Sequence, residues 1–341
     1  VLVQTSAGVF SLAGEHPHTF VPTHLPPAYR CSGSTNPSAA AGTRHEKATM
    51  MTAIDPASTR RDTHLPLPPI PEPFRLPFYC GAWHNIGIDY LVDFETAAKI
   101  LGRTHPRLAP ADFDGRACFS LNYQLYFAQY GDGSSITEEV ELNIIAYPQG
   151  EEHRMFPVSY AEYATGIDQT KLLGIGRIHV LCDNAMAIEA GSKIFAEPKL
   201  PARFTATMPS LNGPETSDWH VRVLDADFAE DGSVTPGGRL LFSIDAHLGG
   251  LVGVPVNNTP VTGYGTDAEG RLLTSRQSVY HPYQYYLLDS ETAAQVSLHV
   301  AEPTSLVGQD LTALLTNAAP AGMWTYQSAP VAAHSRPYYL A

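Results

Sequence analysis

From Phe78 onward the chain reads as a succession of strands with few helices between them. "GIDYLV" (Gly87–Val92), "ACFSLNYQLYFAQY" (Ala117–Tyr130), "TEEVELNIIAYP" (Thr137–Pro148) and "GRIHVLC" (Gly176–Cys182) carry the β-branched and aromatic residues that suit a pleated surface. "DWHVRVLDADF", "GRLLFSIDAHL" and "QSVYHPYQYYLL" continue the theme, with turn signals such as "YGDGSS" and "EDGSVTPGG" between segments. Three stretches read as helices. "DFETAAKILGR" has Asp93 as N-cap and Ala97, Ala98, Ile100 and Leu101 as its inner face. "DNAMAIEAGSKIF" is capped by Asp183 or Asn184 and spaces Met186, Ala187, Ala190 and Ile194 helically, and "SLVGQDLTALLTN" is the third. Many strands and few helices predict one α+β domain over residues 65–330, built on a curved antiparallel sheet or β-barrel.

Residues 1–64 are rich in Pro, Ser, Thr, Ala and His without apolar periodicity and read as a flexible low-complexity tail. His16, His18 and His24 lie in it as candidate metal ligands, a solvated tail being the simpler reading, and Met50 and Met51 are candidate natural start residues. "LPLPPIPEPFRLP" (Leu65–Pro77) is extended and stiff, either a strap into the first strand or a ligand for a proline-binding module. Residues 331–341 read as a C-terminal tail.

A formal charge of -13 argues against a nucleic-acid or anionic-membrane surface, which requires clustered Lys and Arg. No apolar run approaches the ~18 residues of a membrane helix. Cys31, Cys80, Cys118 and Cys182 are widely spaced and form no CxxC pair, which suits neither a zinc site nor a disulfide scaffold. Together with an opening that lacks a basic n-region, this places the expectation at a cytoplasmic protein with reduced thiols. There is no GxSxG, GxxxxGK[ST] or HExxH, and "LGIGRI" has neither the third glycine nor the following helix of a dinucleotide site. No metal and no cofactor is expected.

The chemistry-bearing residue that stands out is Lys199, behind Pro198 in the weakly charged stretch "DNAMAIEAGSKIFAEPKL" of a chain with five lysines. An exposed lysine is protonated at neutral pH, while an apolar setting penalises the ammonium. The neutral amine attacks a carbonyl carbon to form a Schiff base. Pro198 fixes the backbone there, and Ile194, Phe195, Ala196, Leu200 and Pro201 are available as an apolar wall. A plain surface lysine after a helix is the competing reading.

The segment resembles the signature of the acetoacetate decarboxylase superfamily: Asp183-Asn184, Ala187-Ile188, Gly191 and Pro198-Lys199 fall in place without a gap. The similarity extends, more weakly, over roughly residues 70–205. It implies an acetoacetate decarboxylase-like fold and makes Lys199 the Schiff-base lysine. It also implies that Glu162, in "SYAEY", is the active-site glutamate that positions substrate or handles protons. Several positions depart from the family pattern. Trp83 stands where an arginine for the substrate carboxylate is expected, Asn143 where a second glutamate is, Leu200 where a second lysine is, and Glu197 in a usually aromatic position. Trp83, Asn143, Glu197 and Leu200 are therefore the candidate substrate-binding residues, and the lost arginine points away from acetoacetate to a bulkier, less charged carbonyl compound.

Three readings follow. The first is a Schiff-base carbon–carbon lyase that decarboxylates a bulky β-keto acid. The second uses the same imine for aldol condensation, dehydration or cyclisation of a larger carbonyl compound in specialised metabolism. The third is a non-imine enzyme or ligand-binding protein on the same fold. The expected partner is a small-molecule carbonyl substrate, with no nucleic acid and no membrane, and a homo-oligomer is compatible with all three.

Overall fold

The computed structural model describes residues 67–213, 217–280, 282–337, 339 and 340. The tail reading, with His16, His18, His24, Met50 and Met51, falls outside the described residues.

The chain enters the sheet with a long strand, β1 (Phe74–Asp93), and turns directly into helix α1 (Phe94–Thr104). Asp93 caps that helix by accepting from the Thr96 N–H, and Ala97, Ile100 and Leu101 form its buried stripe, as the spacing predicts. There follow β2 (Leu108–Pro110), β3 (Arg116–Gly131), β4 (Ser134–Pro148), the short α2 (Tyr160–Ala164), β5 (Gly174–Cys182), α3 (Ala185–Ile194) and β6 (Lys199–Thr207). The second half supplies β7 (Asp218–Asp225), β8 (Leu240–His247), β9 (Val254–Val256), β10 (Val261–Thr266), β11 (Leu272–Gln277), β12 (Tyr283–Leu287), β13 (Val296–Val300), α4 (Leu306–Leu314) and β14 (Pro320–Gln327). Asn184, not Asp183, caps α3 by accepting from the Ala187 N–H, while Asp183 accepts from the Glu138 N–H.

The fold is α+β, as expected, on one 14-stranded sheet whose main path runs β13-β8-β7-β6-β5-β4-β3-β1-β14-β12-β9. Two details depart from the sequence expectation. The path ends on different strands, β13 and β9, so the sheet is open and the barrel alternative does not hold. The sheet is also mixed, because β5 pairs in parallel with β6 and, at its other end, with β10. Parallel neighbours cannot be joined by a tight turn, and α3 is the crossover that carries the chain from the end of β5 back to the start of β6.

The central strands have two unlike faces. On one lie Ile86, Ile88, Tyr90, Phe119, Leu121, Tyr123, Val140, Leu142 and Ile144, all buried with α1 and with Trp219, Val221, Val223, Phe242 and Ile244 of β7 and β8. Each such side chain contributes about 1.5–3 kcal/mol of burial energy. On the opposite face the alternating positions are Asn85, Asp89, Ser120, Gln124, Glu139, Glu141 and Asn143, which are polar yet also buried. A buried polar face needs hydrogen-bonding partners, and here they surround a cavity. Among the described residues no helix is long and apolar enough to cross a membrane.

Candidate functional site

The cavity has a volume of about 1010 Å³ and lies over the polar face of β1, β3, β4 and β5. That volume is at the upper end of typical small-molecule sites. The strap residues Leu76–Gly81, the strand β11 and the segment after it, and Phe195 of the α3 end complete its walls.

Lys199 is the first residue of β6, opposite Val180 of β5, and its side chain is 4% exposed. Its Nζ lies 2.6 Å from Oε2 of Glu139 and 3.5 Å from Oε2 of Glu197. Three features of the chain put it there. Ala196, directly after α3, takes a left-handed backbone (φ 52°), a conformation costing roughly 1–2 kcal/mol for a residue with a Cβ. The N–H groups of Phe195 and Glu197 both bond the Gly191 carbonyl, which folds the helix end back and turns Glu197 inward. Gly191 then leaves the room that Lys199 fills, since a Cβ at that position would lie 2.2 Å from Cε of Lys199 and 2.5 Å from Oε2 of Glu197. The glycine of the sequence signature thus has a steric reason.

Around the amine the groups are charged rather than apolar. Gln124 donates to Oε1 of Glu139, leaving Oε2 for Lys199. Arg177 of β5 donates from Nε to Oε1 of Glu141 at 2.8 Å and lies 3.4 Å, through Nη1, from Oε1 of Glu197. Asn143 donates to Oε2 of Glu141. Five charges, three negative and two positive, are thereby enclosed with side-chain exposures of 4–8%.

This environment reverses the electrostatic expectation for Lys199. Burial alone pushes the ammonium down, but Glu139, with Cys182 and Glu197 behind it, outweighs that and holds Lys199 well above the ordinary lysine range. Glu197 experiences the converse balance: burial raises its carboxyl, yet Arg177 and Lys199 together hold it below the usual value. Glu141 is pushed up by burial in spite of Arg177.

The other sequence candidates divide. Trp83 lines the cavity and stacks on Tyr126 with ring centroids 4.7 Å apart. Asn143 and Glu197 line it as well. Leu200 does not: successive strand residues point to opposite faces, and Leu200 is 39% exposed on the side away from Lys199. Glu162 is also absent from the lining, although its neighbours Tyr163 and Ala164 belong to it. Its carboxylate is engaged in capping α2, where Oε2 accepts from the Ser159 N–H and Oγ–H at 2.8 Å each. A Ser-x-x-Glu capping box was legible in "SYAE" and accounts for Glu162 without chemistry. The acid beside the lysine is Glu139, in a strand whose alternating "EVELN" reads as a solvent face until the second layer is known. Arg177 likewise was hidden inside an apolar strand. Arg116 and Arg154, the other arginines near the early strands, are held by the backbone carbonyls of Leu91 and Val92 and by Glu151.

Among the described residues no group of three or more His, Cys, Asp and Glu is placed to hold a metal ion.

No family model and no curated protein matches the sequence. Several solved structures are similar to this chain. The enduracididine biosynthesis enzyme MppR complexed with pyruvate aligns with a TM-score of 0.49 at 13% identity, over 77% of this chain and 88% of that one. An acetoacetate decarboxylase-like enzyme from Sphingomonas wittichii RW1 aligns with a TM-score of 0.43 at 11% identity, over 73% of this chain and 88% of that one. Acetoacetate decarboxylase from Legionella pneumophila aligns with a TM-score of 0.40 at 10% identity, over 78% of this chain and 91% of that one.

Proposed function

We propose that this chain is an acetoacetate decarboxylase-like enzyme that forms a Schiff base through Lys199 with a bulky carbonyl compound. The observation that carries this reading is an enclosed amine held 2.6 Å from a carboxylate in a cavity of about 1010 Å³.

In the resting site Lys199 is an ammonium paired with Glu139. A substrate that displaces water makes two separated charges costlier, which favours transfer of one proton from Nζ to the Glu139 carboxylate. The freed lone pair forms the C–N bond while the carbonyl π electrons move to oxygen. Glu139 returns the proton to that oxygen, giving an N-protonated carbinolamine; it then relays one nitrogen proton to the hydroxyl, which departs as water and leaves the protonated imine. Glu139 is ionised again at that stage and within reach of a hydrogen on the carbon next to the imine.

An imine of this kind can lose carbon dioxide or lose that hydrogen. The charges around Lys199 favour proton loss to an enamine, followed by aldol or dehydration chemistry. Glu139, Glu141 and Glu197 outnumber Lys199 and Arg177, and Nε and Nη1 of Arg177 are turned to Glu141 and Glu197. A substrate carboxylate beside the imine would find little positive potential there.

Borohydride reduction in the presence of a panel of aldehydes, ketones and keto acids, read by intact mass and peptide mapping, is the test. A reduced adduct on Lys199, absent in Lys199→Ala, is expected, with no carbon dioxide evolved. Adduct with stoichiometric carbon dioxide would restore the decarboxylase reading. Tight binding of a carbonyl compound without any adduct would replace the enzyme reading by a binding protein.

A further inference from the structure

The cavity has a second pole that the imine chemistry does not use. Ser120 and Gln124 lie on the same face of β3 and are ~13 Å apart by strand rise. Gln124 bonds Glu139 at the Lys199 end, whereas Ser120 stands in register between Asp89 of β1 and Asn143 of β4. Asp89 is 4% exposed. Its Oδ2 accepts from the Tyr160 hydroxyl at 3.0 Å, and Tyr160 in turn meets the hydroxyl of Tyr285. The Ser120 hydroxyl also faces this carboxyl, and Oδ1 of Asp89 is buried with no partner in full hydrogen-bond geometry.

The same holds for two oxygens toward this pole. Asn143 turns its amide nitrogen to Glu141, which leaves its Oδ1 unpaired, and Oδ1 of Asn122, two residues from Ser120 on the same face of β3, is also without a partner. Asn85, whose Oδ1 is unpaired too, stands opposite Gln124 and belongs to the Lys199 end. Asp89, Asn143 and Asn122 all line the cavity. Each of these unpaired atoms is an acceptor. Leaving such groups buried and unpaired is costly, and a patch that collects them is complementary to a ligand rich in donors.

We infer that this pole binds a hydrogen-bond-donating head group of the substrate, a protonated amine above all, while the carbonyl end of the same molecule lies at Lys199. The assignment rests on the Schiff-base reading for the carbonyl end only. It makes the substrate a bipolar molecule about as long as the separation of the two poles. Asp89 supplies the buried charge at this end, Arg276 of β11 being an exposed cation of the lining, and Asn143 and Asn122 take the remaining N–H or O–H bonds. Arg177, the nearest buried cation, is balanced by Glu141 and Glu197.

Straight-chain methyl ketones long enough to span the poles, ending in a methyl, a hydroxyl or a primary ammonium group, are the probes. Calorimetry on the full chain should rank them ammonium, hydroxyl, methyl, with the first binding roughly tenfold or more tighter than the last. In Asp89→Asn the ammonium advantage should collapse to the level of the hydroxyl. In Asn143→Ala both polar ketones should weaken severalfold while the methyl-ended one is unchanged, which keeps the test open should Asp89→Asn fold poorly. Equal affinity for all three ends, or an ammonium preference that survives Asp89→Asn, overturns the assignment. Borohydride trapping in the same samples separates the two readings. Preference without adduct removes the imine and leaves the subsite, and adduct without preference does the reverse.

Discussion

The two faces of the central strands share one backbone and one register and are both buried, yet they do opposite work. The face of Ile88, Leu121, Val140 and Leu142 fills space and contributes stability. The face of Asp89, Gln124, Glu139 and Glu141 leaves space, encloses charge and opposes stability. Burial therefore does not identify a core; burial of matched volume does, and burial of partly unmatched polar groups identifies a site.

The sharpest way to separate the faces is a pair of neighbouring substitutions. Glu139→Gln removes the proton acceptor beside Lys199 and should lower turnover, per folded molecule, by roughly 10²–10⁴. Steady-state assays with whichever carbonyl compound the trapping experiment identifies would measure it, and a loss below tenfold would show that Glu197 or water handles the proton. Leu142→Ala, on the other face of the same strand, should cost about 2–5 kcal/mol of stability in denaturant unfolding. The substrate affinity of the folded fraction should be unchanged.

A smaller effect tests whether the polar face opposes folding. Burial raises the Asp89 carboxyl to about 6 from 3.8. The native state therefore binds more protons than the unfolded chain between these values, so stability from this group is greatest in acid and falls as pH rises through about 6. Asp89→Asn should remove this cost, raising stability at pH ~7.5 by on the order of 1–3 kcal/mol and flattening the dependence between pH ~4 and ~6. Thermal melts of both proteins across that range would show a wild-type curve parallel to the variant if the account is wrong.

The smallest effect is expected at Glu162. Its carboxylate caps α2 on the surface, so Glu162→Ala should slightly lower the melting temperature and leave turnover and the borohydride adduct unchanged. A large loss of activity there would mean that α2 reorganises over the cavity when substrate binds.

Some of this was legible in the strands and helix signals alone. The α+β class, the cap at Asp93 and the stripe Ala97–Ile100–Leu101 follow from local periodicity and side-chain chemistry, because those signals need only neighbours in sequence. Lys199 was legible too, because Gly191, Pro198 and Lys199 lie within one helix end and its exit. The Ser-x-x-Glu box at Ser159–Glu162 is equally local.

What only the tertiary structure decided depends on strands distant in sequence. Glu139 and Arg177 come to face Lys199 and Glu197 because β4 lies beside β5 and α3 returns the chain parallel to β5. Alternation along "EVELN" determines that Glu139, Glu141 and Asn143 share a face. It does not determine whether that face meets water or a second wall, since a period of two records difference between faces and not what covers them. The walls here come from residues 76–81 and from β11 and the segment following it, far apart in the chain. The elevated proton affinity of Lys199 is likewise a sum over groups on two strands and a helix exit, and electrostatic energy depends on distances in space. Residue types fixed which chemistry was available, and long-range strand pairing decided which of them meet.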